Sequence, residues 1–357
     1  MTGLVRWVRN HAVPVGLGAI AVLVLGSAAL AYARVSDSSD ASPVDRNDNA
    51  AVEASGFALD AGPSGSASAS ASASGSASAS ASAGAKSQAQ GGWPNAGNTG
   101  VPAGTKLSTY SGPCTIRADN TVVDSKTINC GTFEIQARNV KISKSKINGI
   151  VVTSERTNYS FTMDQVEVNA GLVERAAVGS TNMTILRSNI TGGRTTVACS
   201  FNCTVRDSYL HGQRLPADSD WHVGAFLAND AGPNGRTEAT LVHNTIICDA
   251  KETSKGGGCS GNINLFPDFG PVSYVTVDGN LLGANTDISY CVYGGSEEDK
   301  PHNGGVRNIV ITNNVIQRGS NRKCGFYGPV TSFNPSLPGN RWENNRWDDG
   351  SAVQSAN

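Results

Sequence analysis

The residues best suited to chemistry fall in four stretches of a 357-residue chain. The first, Leu210 to Gly224, holds His211, Arg214, Asp218, Asp220, Trp221 and His222. An imidazole with a carboxylate beside it can exchange protons near neutral pH. Trp221 offers a flat apolar face that matches the C–H face of a sugar ring. The second stretch holds Lys251 and Lys255, then Asn264-Leu265-Phe266-Pro267-Asp268-Phe269-Gly270. The third runs from Tyr290-Cys291-Val292-Tyr293 through Glu297-Glu298-Asp299-Lys300-Pro301-His302, and the fourth holds Arg322, Lys323 and Tyr327.

Two reactions fit these residue types. β-Elimination of a uronic-acid polysaccharide needs a cation against the carboxylate, a base for the ring proton and an acid for the leaving oxygen. His, Lys and Tyr can fill those roles. Inverting glycoside hydrolysis needs two carboxylates about 6.5–9.5 Å apart, and Asp220 with Asp268 is the candidate pair. His211, His222, Asp220 and Lys300 are therefore the catalytic candidates. Trp221, Asp268, Tyr290 and Tyr293 are the substrate-binding ones. The sequence presents no metal-ligand set and no cofactor motif, although Ca2+ stays open as a cofactor for lyase chemistry.

The elements that must position these residues come from a repeat. Asn308 to Arg318 has an apolar residue three positions in (Ile311), another eight in (Ile316) and Asn314 between them. The same frame starts at Asn120, Asn139, Ser160, Asn182, Asn202, Glu238, Tyr274 and Gly339, which makes nine copies. Start-to-start spacings are 19, 21, 22, 20, 36, 36, 34 and 31 residues. A period near 20 with short Val- and Ile-rich runs between polar turns indicates a solenoid of β-coils. No copy can bury its apolar face alone, so the copies must stack. Asn and Ser between the slots suit turns and can form ladders along a stack. The expected fold is an all-β, right-handed parallel β-helix, a single-stranded solenoid of about nine coils.

The four copies from Asn202 to Asn308 are stretched, and all four chemical stretches lie in the added residues. Insertions at one register of a solenoid would collect on one side, so a cleft is expected in the C-terminal half.

Charge narrows the partners. The chain carries 28 basic and 29 acidic residues. Five of the basic and six of the acidic ones precede residue 92, which leaves 23 of each beyond it. A neutral domain lacks the basic surface that nucleic acid requires, so no nucleic-acid partner is expected. Residues 1–34 read as a signal peptide or an N-terminal transmembrane anchor: Arg6 and Arg9 precede an apolar run that ends at Ala31-Tyr32-Ala33. Residues 35–91 read as a disordered Ser/Ala/Gly-rich linker. Residues 92–350 form the folded domain and 351–357 a C-terminal tail. The protein is expected outside the cytoplasm, secreted or held at the outer face of the membrane, as a monomer.

Eight cysteines, all beyond the linker, imply disulfides in an exported chain. Cys291 and Cys324 lie 17 and 16 residues into successive copies. They should stack on adjacent coils within reach of a disulfide. Local pairs are the simplest choice for the rest: Cys114–Cys130, Cys199–Cys203 and Cys248–Cys259.

The domain also resembles a family of exported actinobacterial right-handed parallel β-helix proteins in the broad pectate-lyase-like superfamily. The resemblance rests on Gly92-Trp93-Pro94-Asn95-Ala96-Gly97, Ser208-Tyr209-Leu210-His211-Gly212, His243-Asn244-Thr245-Ile246, Tyr290-Cys291-Val292-Tyr293-Gly294-Gly295 and the closing Trp347-Asp348-Asp349-Gly350. It implies the fold over about residues 92–350. The motifs of polygalacturonase-type hydrolases do not carry over: Asn285-Thr286-Asp287 occurs, but Gly-His-Gly and Arg-x-Lys do not. The expected function is an exported carbohydrate-active protein that cleaves or binds an extracellular polysaccharide, as a lyase or glycosidase. The alternative is a non-catalytic cell-surface protein that binds glycan or cell wall.

Overall fold

A computed structural model describes residues 92–153 and 158–355. The stretches read from sequence as a signal peptide or anchor and as a linker lie outside the described residues, as do 154–157, 356 and 357. Among the described residues no helix is long and apolar enough to cross a membrane.

The chain winds through three parallel sheets in turn. The first sheet has nine strands, from 122–124 to 341–343, and each carries the first apolar slot of its copy. The second has ten, from 108–109 to 346–347, and all but its first carry the second slot. The third has nine, from 115–116 to 328–331. Neighbours within each sheet are successive coils in parallel register, so the fold is a parallel β-helix of nine coils.

The slots face inward because side chains alternate across a strand. In all copies but the last, both slot residues are at most 3% exposed. Burying each is worth about 1.5–3 kcal/mol. Trp342 and Trp347 of the last copy are partly buried against the core, where the stack ends.

Two corners bracket the first-sheet strand. The residue that opens the frame is left-handed in eight of nine copies, with φ between 49° and 74°. The residue five positions later is left-handed in all nine, φ 43° to 61°. Asn and Gly adopt this backbone at least cost, which explains the Asn that opens five copies. The next position supplies an internal polar ladder. Ser145, Ser188, Ser208, Asn244, Asn280, Asn314 and Asn345 are all buried there. Each Oγ or Oδ1 accepts the backbone N–H one coil back: Ser208 N to Asn244, 2.9 Å; Asn244 N to Asn280, 2.8 Å; Asn280 N to Asn314, 2.8 Å. The Asn Nδ2 groups donate to carbonyls of the first sheet, as Asn280 does to Leu241 O at 3.0 Å.

Four disulfides join Cys114–Cys130, Cys199–Cys203, Cys248–Cys259 and Cys291–Cys324. Such bonds belong to an oxidising, extracytoplasmic environment. From sequence the domain ends near residue 350. In the structure the next residues dock on the last coil: Val353 is buried and its carbonyl accepts the Trp342 indole N–H at 2.7 Å.

The insertions depart from the one-register expectation. One set lies between the second and third sheets, at 211–221, 247–257, 283–289 and 317–327. The other lies between the third and first sheets, at 229–238, 266–272, 295–306 and 332–340. The chain can lengthen at either turn without disturbing the stack, and here it lengthens at both. The outer face of the third sheet thus lies between two sets of enlarged turns.

Candidate functional site

That outer face is set by register. Phe226, Ile263, Val292 and Val330 pair across the third sheet, and the first three point into the core with no exposure. Their following residues, Leu227, Asn264, Tyr293 and Thr331, therefore face outward in one rank.

An aromatic row crosses this face from one set of turns to the other. Phe266, just past its strand, meets Tyr293 edge-on with ring centroids 5.0 Å apart. Tyr293 meets Tyr290 at 5.7 Å, Tyr290 stacks on Tyr327 at 5.6 Å, and Tyr327 meets Phe326 at 4.8 Å. Phe326 and Tyr327 are exposed. The five rings are in contact, three of the four contacts edge-on, and only the Phe326–Tyr327 end is open to solvent, where a ring face can receive an apolar ligand surface. Burial raises the Tyr293 hydroxyl above its ordinary pKa, so it is a neutral phenol at physiological pH.

At the Phe266 end sits an ion pair. Lys300 Nζ donates to Asp268 Oδ1 at 2.7 Å and lies 5.2 Å from the Phe266 ring centre. The Asp268 hydrogen bond raises the lysine pKa against the opposing effect of burial. Lys300 is thus held as a cation. It suits pairing with an anionic group or donating a proton, and it does not suit the role of base. Nearby, Ser332 Oγ donates to Glu297 Oε1 at 2.6 Å, which ties down the same loop.

The structure brings Asp268, Lys300, Tyr290 and Tyr293 into this one row. His211, His222, Asp220 and Trp221 belong elsewhere, to the insertion at 211–221 and the strand that follows it. His211 stacks on Tyr209 at 3.8 Å and bonds through Nε2 to Asn189 Oδ1 at 2.9 Å. Burial lowers its pKa, partly offset by Asp249, whose carboxylate lies 4.0 Å away. It is a neutral imidazole with Nε2 engaged by Asn189. Arg194 lies 5.9 Å above the Trp221 ring and also donates to the His222 carbonyl at 3.1 Å. Asp220 and the His222 side chain are exposed. Beside them a cleft of about 470 Å³ is lined by Leu172, Arg214, Leu215, Ala250 and Lys251, among others.

His243, inside the repeat frame, occupies a left-handed corner. It bonds Asp207 at 2.6 Å and lies under Trp93 of the N-terminal segment. Among the described residues no group of three or more His, Cys, Asp or Glu side chains is placed to hold a metal.

Sequence reasoning missed two members of the row as functional residues. Phe266 was only one letter of an insertion, and Phe326 carried no signal beyond being aromatic next to Tyr327. Comparison with protein-family models, curated proteins and solved structures returns no match.

Proposed function

We propose that this domain is an exported β-helix that engages an extracellular polysaccharide on the outer face of its third sheet. The observation that supports this reading is the aromatic row Phe266–Tyr293–Tyr290–Tyr327–Phe326, with the Lys300–Asp268 pair at one end. Apolar ring faces flanked by hydrogen-bonding groups suit a sugar chain better than a fully apolar or a highly charged ligand. The resemblance to exported actinobacterial β-helix proteins of the pectate-lyase-like superfamily points the same way.

The test is titration of the full chain with a panel of plant, microbial and cell-wall polysaccharides, followed by Tyr293→Ala. Saturable binding to at least one glycan, lost in the variant while its circular dichroism is unchanged, is the expected result. Absence of binding across the panel overturns the reading.

Cleavage is the second reading, favoured by a cationic lysine at the end of a row that holds tyrosines. In it Lys300 neutralises a uronate carboxylate, Tyr290 takes the C5 proton as the C4–O bond breaks, and the Tyr293 phenol protonates the leaving oxygen. Ultraviolet absorbance of unsaturated uronate products, run with a reducing-end assay, decides between cleavage and binding alone.

A further inference from the structure

The first sheet also has an outer face, and its pattern differs from that of the third. The residue just before the first apolar slot points outward. In five successive coils that residue is threonine: Thr162, Thr184, Thr204, Thr240 and Thr276 stand side by side in register. All five are half-buried, and none of their hydroxyls has a hydrogen-bond partner among the described residues. Two positions earlier, at the left-handed corner, Asn139, Ser160, Asn182 and Asn202 form a second file. Asn139 donates through Nδ2 to Asn120 Oδ1 at 2.7 Å, and Asn202 donates to Asn182 Oδ1 at 2.8 Å. The Oδ1 atoms of Asn139 and Asn202 accept from no described residue.

The two files line a groove of about 440 Å³ that crosses four coils. Three steps of about 4.8 Å make it about 14 Å long, parallel to the axis of the stack. No Lys, Arg, Asp, Glu or His lines it. Strand preference alone puts threonine on a sheet surface, but it acts equally on the next outward file. That file holds Asp164, Leu186 and Arg206 in the same coils.

The ligand that fits is an uncharged chain with one hydrogen-bonding unit per coil. An extended peptide advances about 3.3 Å per residue, so its like-facing groups recur at about 6.6 Å and fall out of step with the coils. Nucleic acid and other polyanions need cations along their length. The threonine file meets a cation only at Lys141, outside the groove lining. An apolar ligand would strip water from the hydroxyls and return no hydrogen bond. A sugar hydroxyl both donates and accepts, as a threonine hydroxyl does. A pyranose linked through opposite carbons advances by about one ring, close to the coil spacing of about 4.8 Å.

We propose that this groove is a second glycan site, and that it takes a neutral, extended β-1,4-linked polysaccharide laid along the stack. Thr162, Thr184 and Thr204 bond successive sugars from one side, and the Oδ1 atoms of Asn139 and Asn202 accept from the other. The groove lies on the first sheet and the aromatic row on the third, so neither depends on the other.

The experiment uses the full chain, native and as Tyr293→Ala, with four six-sugar probes: β-1,4-linked glucose, xylose and mannose oligomers and, as the charged arm, oligogalacturonate. Calorimetric titration should give saturable binding of at least one neutral hexamer that survives Tyr293→Ala. Thr184→Val with Thr204→Val removes two hydroxyls and keeps the β-branched shape. In the Tyr293→Ala chain it should weaken that binding at least about tenfold. A disaccharide of the same linkage reaches only two coils and should bind Tyr293→Ala at least about tenfold more weakly than the hexamer. That comparison needs no threonine variant. The inference is overturned by Tyr293→Ala binding no neutral hexamer, by a hexamer that binds the threonine variant equally well, or by equal affinity for hexamer and disaccharide. Oligogalacturonate bound by Tyr293→Ala as tightly as the neutral chains also overturns it. The row is read separately, from the native chain against Tyr293→Ala, so either site can fail without the other.

Discussion

Lys300 and His211 show how environment separates two residues that look equally basic in sequence. A carboxylate at 2.7 Å keeps Lys300 charged, whereas burial keeps His211 neutral. Their pH signatures follow. The raised Lys300 pKa gives stability that is present at neutral pH and is lost only as pH rises beyond its ordinary 10.5 through the folded value. Asp268→Asn should remove it, at a cost of less than about 1 kcal/mol because the pair is near the surface. Denaturant midpoints of wild type and variant at neutral and strongly alkaline pH check this: the gap should close at alkaline pH. His211 behaves oppositely. Its folded pKa lies below 6.5, so the unfolded chain takes up the proton first. Its contribution is present above pH 6.5 and falls away as pH drops toward and through the folded value. His211→Phe, which preserves stacking on Tyr209, should flatten that part of the stability–pH curve.

At the scale of elements, the corner ladder is what fixes the coils to one another. Asn280 accepts the Asn244 backbone N–H and donates to Leu241 O, all at no exposure. Asn280→Ala strips both groups of their partner and should lower stability by about 2–4 kcal/mol, read from urea unfolding at constant m-value. Asn280→Ser should cost less, since Ser145, Ser188 and Ser208 fill the same position in earlier coils. Asn139, at φ 55°, tests the corners. Asn139→Val should destabilise by about 1–2 kcal/mol through backbone strain, whereas Asn139→Gly should be nearly neutral.

Much of this level was legible in the sequence. The slots Ile311 and Ile316 recur because a stack demands inward residues at fixed positions, and Asn314 recurs because a buried corner needs a side-chain acceptor. The corners were legible only as a liking for Asn, since Glu238 and Tyr274 take the same left-handed backbone without announcing it. The candidate site was less legible. Tyr290, Tyr293, Asp268 and Lys300 were found as residues, but the frame does not say at which turn an insertion leaves the stack. His211 and Trp221 therefore looked like members of the same cleft.

For the molecule as a whole, each coil contacts mainly its neighbours, so stability is local along the stack. Cys291–Cys324 clips two successive coils over a sequence separation of 33. Removing it as Cys291→Ala with Cys324→Ala should cost about 3–4 kcal/mol. The loss should appear as faster hydrogen exchange around 283–331, with the N-terminal coils unchanged. Four of the five rings of the row lie on those same coils, which ties the row to the integrity of this end. Titration of the full chain against the polysaccharide panel, wild type beside Tyr293→Ala, tests the central claim most directly. Saturable binding to a glycan that falls at least about tenfold in the variant, with the fold intact, is the predicted result. A panel in which every bound glycan binds both chains equally well, or in which none binds either, would contradict it.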